Sequence, residues 1–168
     1  MQSESARAAS AAEARFRIDA PNSQPRSIKV IALDRPSEAI VKRLATSVWG
    51  NTSFLTTLAS APPRDAPFSM RGWLADLAGH TKILVDEIEH ADLVVMIATA
   101  GESIESTSII GEACSLKRVM TTGLVVTAPS VPGAELSRSL AQLRPWALML
   151  VVANAEDYIA DMLMALRA

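Results

Sequence analysis

What this chain lacks narrows it first. Among its 168 residues there is one cysteine, Cys114. No disulfide can form within the chain, so the fold must hold by its core, and the compartment expected is a reducing, cytoplasmic one. No apolar run approaches the roughly 20 residues that span a bilayer. The first fifteen residues are rich in alanine and serine but have no signal-peptide stretch. Glu4, Glu13 and Asp19 set this region apart from the acid-poor transit peptides of organelles. No membrane partner is expected.

A marked excess of either charge is also missing. Sixteen basic residues against 18 acidic ones leave a net charge of -2. That is no electrostatic footprint for DNA, RNA or anionic lipid, so no nucleic-acid partner is expected. The charged share is 20%, below the average of about 25%. A surface with less charge to keep wet points to a homo-oligomer or a protein partner.

Signature motifs are absent as well. No G-x-G-x-x-G follows the first strand, and there is no G-x-x-x-x-G-K-[ST] or G-x-S-x-G. His80 and His90 have no second ligand at metal spacing. No catalytic residue and no metal ligand is assigned, no motif names a cofactor, and a non-enzymatic role is favoured.

What is present is alternation. Residues 1–26 read as a flexible tail closed by Pro21 and Pro25, and 27–168 as a single domain. Ile28 to Asp34 is a β-branched run, Ser37 is placed to cap a helix, and Ile40, Val41, Leu44 and Val48 give that helix an apolar face. Phe54 to Leu58 reads as a short strand and the proline-bearing 59–67 as a loop. Met70 to Gly79 and Thr81 to Glu89 read as two helices, with Trp73, Leu74 and Leu77, then Ile83, Leu84 and Ile88, turned inward.

Leu93 to Ala98 is apolar without alternation, the mark of a strand covered on both faces. Helices over Ile104 to Arg118 and around Leu136, Leu140 and Leu143 alternate with strands over Val119 to Thr127 and Leu148 to Ala153, and Asn154 is placed to cap a last helix. This predicts an α/β fold, a three-layer Rossmann-like sandwich of about five mostly parallel strands flanked by helices.

In such sheets ligands lie outside the carboxyl ends of the strands. The candidate ligand-binding residues there are Asp34, Thr99, Ala100, Gly101, Glu102, Ser103, Ser106, Thr107 and Asn154. Gly101 permits close backbone approach, the hydroxyls are donors, and the start of the following helix suits a phosphate or carboxylate. The alternative is that Ser103 or Ser106 caps the helix and the glutamates complement its dipole. Asp34 has the alternative of bonding the Ser37 turn. Cys114 reads as a buried small hydrophobe, and the three tryptophans as covers at element ends.

The run His90-Ala-Asp-Leu-Val-Val-Met-Ile-Ala-Thr-Ala-Gly101 resembles the nucleotide-binding half of the tubulin-like bacterial division GTPases, where an A-D-strand-T-A-G run enters the phosphate loop. The likeness covers about residues 81–157 and carries over Thr99, Ala100 and Gly101. Where that family continues with glycines and threonines, this chain has Glu102 to Thr107. A fainter likeness is to sugar-isomerase (SIS) domains, through Gly101, Glu102 and Ser103; both phosphate-binding serines are alanine here. These resemblances imply a nucleotide or a phosphosugar. The expectation carried forward is a non-catalytic, oligomeric α/β protein with a weak phosphate or nucleotide site at 99–108. The alternative is a small-molecule binding module or a small enzyme.

Overall fold

The computed structural model describes residues 26–57, 73–154, 156–166 and 168. The expected tail at 1–25, the loop at 59–67, Met70 and the side chain of Trp73 lie outside them. Seven strands, β1 (Ile28–Ala32), β2 (Thr52–Thr56), β3 (Trp73–Asp76), β4 (Thr81–Ile83), β5 (Leu93–Thr99), β6 (Met120–Val126) and β7 (Met149–Ala153), form one sheet. Among the described residues five helices flank it: α1 (Arg35–Leu44), α2 (Leu84–Glu89), α3 (Thr107–Lys117), α4 (Gly133–Leu143) and α5 (Glu156–Ala165). No helix of the described residues is long and apolar enough to cross a membrane.

The sheet runs β4-β3-β2-β1-β5-β6-β7. Its parallel part is β2-β1-β5-β6-β7, the five parallel strands expected from the sequence. The unalternated run of β5 explains its central place. Val94, Met96 and Ala98 pack with Ile31, Ile110 and Leu143 on one face. Leu93, Val95 and Ile97 pack with Ile40, Val41, Ile159 and Leu163 on the other. Burying each larger side chain fully contributes about 1.5–3 kcal/mol, so a strand with two such faces belongs mid-sheet. Thus α1 and α5 cover one face, and α2, α3 and α4 the other.

Four expectations are corrected. Residues 73–83 are not helical; β3 pairs antiparallel with β2, and β4 antiparallel with β3. The Asp76 carboxylate accepts the amides of Ala78 and His80, both at 2.9 Å, and Gly79 takes a φ of +87°. Together they close a tight turn. Second, the helix expected over Thr81 to Glu89 begins only at Leu84. Leu84 and Ile88 are nevertheless its buried residues. Third, Asp34, not Ser37, caps α1. The carboxylate accepts the Ser37 amide at 2.8 Å while the Ser37 hydroxyl accepts the Asp34 amide at 3.1 Å, a reciprocal capping box. Fourth, the helix ends at Leu44, and Val48, expected on its apolar face, lies beyond it and is 99% exposed.

The end of α3 has an unusual residue. The Arg118 amide bonds Ser115 O and the Val119 amide bonds Cys114 O, a Schellman motif. Arg118 occupies its left-handed position, φ 57° and ψ 34°, the one positive-φ non-glycine among the described residues. That conformation costs an L-residue about 1–2 kcal/mol, partly offset by the greater chain entropy that glycine loses on folding. Arg118→Gly is therefore expected to stabilise the chain by about 0.5–1 kcal/mol, read as a raised urea midpoint at unchanged slope. A lower midpoint would mean that the arginine side chain holds the fold.

Candidate functional site

The winding of the sheet reverses between β1 and β5. The helix after β1 leads toward β2 on one side, and that after β5 toward β6 on the other. The crevice between the carboxyl ends of two such strands is the usual ligand position of a doubly wound sheet. Asp34 and Thr99 stand there, as expected.

Asp34 fills the crevice. It is 3% exposed. Its Oδ1 accepts the Ser37 amide and its Oδ2 accepts the Thr99 amide at 2.6 Å. The side chain thus satisfies an orphan amide of α1 and ties it to the last residue of β5. The neighbouring strand ends are sewn in the same way: the Leu33 amide bonds Ile97 O, and the Thr57 amide bonds Ala32 O.

The loop after β5 is closed residue by residue. The Ala100 amide bonds Val126 O, the Gly101 amide bonds the Ser139 hydroxyl at 3.2 Å, and the Glu102 amide bonds Thr99 O. With Thr99 held by Asp34, the amides of 99 to 102 are all taken by the chain itself. A phosphate cradle needs such amides free and convergent. Gly101 has the permissive φ of +92°, but the Glu135 Oε2 lies 2.6 Å from where a Cβ would stand. The glycine faces a carboxylate from α4. Glu102 and Glu105 are exposed close by in sequence, so the mouth carries negative charge toward an anion.

Neither Ser103 nor Ser106 caps α3. Ser106 holds the cap position in a helical conformation without a side-chain cap bond, and Ser103 Oγ reaches Glu105 Oε1 at 3.4 Å. Thr107 is buried with its hydroxyl on Ile104 O at 2.6 Å. Ala100 is buried, while Glu102 and Ser103 are exposed. Asn154 is exposed at the end of β7. It lies three strands from Asp34, roughly 14 Å away at about 4.8 Å per strand. The structure therefore brings together Asp34, Thr99, Ala100 and Gly101, and leaves Asn154 apart. One polar atom there lacks a partner: Thr99 Oγ1 is shielded and unbonded.

Two contributors were not read from the sequence, Ser139 and Glu135. Ser139 is 2% exposed and lies three residues after Leu136, on the apolar stripe of α4. A polar side chain on an inward stripe was the available signal. The remaining candidates have structural employment. His80 pairs with Asp76 at 3.0 Å, and His90 Nδ1 lies 3.1 Å from Asp86 O. Cys114 is 1% exposed, and burial pushes its thiol up to about 12.

No protein-family profile matches this chain, and no curated protein matches it.

The crevice geometry makes Asp34 a stability determinant. Asp34→Ala removes a helix cap, about 1 kcal/mol, and leaves the Thr99 amide without its partner, about 1–3 kcal/mol more. A loss of about 2–4 kcal/mol in urea unfolding is expected, with Asp34→Asn, which keeps one acceptor, falling between. A loss below about 1 kcal/mol would mean that a ligand or water does the bonding instead.

Proposed function

We propose that this chain is a non-catalytic assembly subunit that pairs with a second copy of itself along β7. The observation that carries this reading is the difference between the two lateral edges of the sheet. The β4 edge is three residues long and bears Lys82, a common guard against edge-to-edge pairing. The β7 edge has five residues, and no charge occurs from Trp146 to Asn154. Its outer side has no strand partner among the described residues. Leu148 is 79% exposed, Met149 41% and Val152 40%. An identical strand laid antiparallel across a two-fold axis would use those free amides and carbonyls. With no charge between Trp146 and Asn154 of either copy, pairing along that stretch brings no like charges together.

The closed loop at 99–102 supports the non-catalytic half of the reading. On this reading the loop 99–108 is at most a weak anion site. A second reading, a binding module for a nucleotide or phosphosugar, is favoured by the unpartnered Thr99 Oγ1 and by the resemblances at Thr99 to Ser103.

Sedimentation velocity over a micromolar range is expected to give a dimer. Val152→Lys places a charge in the pairing edge and is expected to weaken dimerisation more than tenfold, since a buried unpaired charge costs several kcal/mol. A native chain that stays monomeric overturns the proposal. Thermal unfolding with GTP, ATP, NAD, FMN, sugar phosphates and inorganic phosphate separates the second reading. A true site at 100-fold excess over its Kd stabilises by about 2.7 kcal/mol, a shift of a few degrees. No such shift is expected. One that disappears in Gly101→Val would establish the ligand loop.

A further inference from the structure

The amino-terminal edge of the sheet, opposite the closed crevice, holds a groove of about 390 Å³. It lies between the end of α3, the start of β6 and the segment leading into β7. Its volume is within the range of small-molecule sites, about 300–1,000 Å³. The floor is apolar: Val119, Pro145, Trp146 and Leu148 contribute to it. Trp146 is seated by a close approach to α3, where a Cβ on Gly111 would meet its ring at 2.6 Å. The Thr121 hydroxyl is occupied by Trp146 O at 2.6 Å.

Arg118 is the single charged residue that lines this groove. Its side chain is exposed and has no ion pair among the described residues, whereas Lys117 beside it is held by Glu89 at 2.8 Å. Arg118 also stands where a helix end favours glycine. A planar guanidinium with five donors matches a carboxylate in two parallel hydrogen bonds. Here it rims an apolar trough.

We propose that this groove binds a small amphipathic monocarboxylate. The carboxylate pairs with Arg118 and the hydrocarbon lies on Trp146 and Val119. The inference is independent of the pairing of β7. Leu148 belongs to both surfaces, but Arg118 follows the end of α3 and is no part of the β7 strand.

The test compares octanoate with octanamide, its uncharged counterpart, by calorimetry on the native chain, Arg118→Gly and Arg118→Lys. Glycine suits the left-handed position, so the first variant keeps its fold. The native chain is expected to bind octanoate at least tenfold more tightly than octanamide. Arg118→Gly should abolish that preference, and Arg118→Lys should retain part of it. Octanoate should alter tryptophan fluorescence in the native chain and not in Trp146→Phe. Equal affinity for the two compounds, no octanoate binding up to millimolar concentration, or an unchanged preference in Arg118→Gly would each overturn the proposal. A monomeric native chain that still prefers octanoate would sink the β7 pairing and leave this site standing.

Discussion

The Asp34 carboxylate accepts amides from two different strand–helix junctions, Ser37 at the start of α1 and Thr99 at the end of β5. These junctions diverge because the sheet reverses its winding between β1 and β5. Divergence leaves a crevice, and the amides around it need acceptors. In many doubly wound proteins a bound anion supplies them. Here a side chain of the first strand end does so. The consequence spreads outward: with Thr99 fixed, the turn sets Gly101 against Ser139 and Glu135, and α4 becomes part of the closure. An incoming phosphate would have to displace these bonds and face Glu135, so the site's chemistry follows from one carboxylate's position.

The parallel core was legible because it is written locally. Leu93 to Ala98 lacks a polar face, and that states burial on both sides whatever the neighbours are. The apolar faces of α1, Val48 excepted, and of α4 followed from spacing. The hairpin of β3 and β4 was not legible. Its strands have four and three residues, too few for alternation to show, and Trp73, Leu74 and Leu77 mimic helical spacing. The turn chemistry was present in Asp76 and Gly79, but the pairing of Leu55 with Asp76 is a non-local fact. The cap of α1 shows a smaller version of the same limit. Asp34 and Ser37 are both good capping residues, and only the packed geometry assigns their roles.

The candidate site divides along the same line. That Asp34 and Thr99 end strands could be read from the sequence. That they touch depends on β1 and β5 being neighbours, which no local pattern encodes. Asn154 ends a strand equally well, yet strand order removes it from the crevice. Ser139 and Glu135 arrive from a helix that follows a further strand, so sequence distance hid them. A strand-to-helix turn at this edge can be filled by the chain's own groups, as the amides of Thr99 to Glu102 show.

A folded chain that satisfies its polar groups at one end of a sheet must be judged by the groups it leaves unused elsewhere. At the carboxyl edge the amides of residues 99–102 are bonded by the chain itself, while Thr99 Oγ1 is not. Further unused capacity lies at the opposite end and at one side. It comprises the backbone of β7 with its exposed Met149 and Val152 and the preceding Leu148, and Arg118, which lines a groove with Trp146. Both are locally unfavourable to an isolated domain: an uncharged open edge invites association, and an arginine at a left-handed position carries strain. On the proposed readings these two costs are offset on binding, the first by a second copy and the second by a carboxylate. In this chain recognition would then have moved from the crevice the fold usually offers to the edges it usually guards.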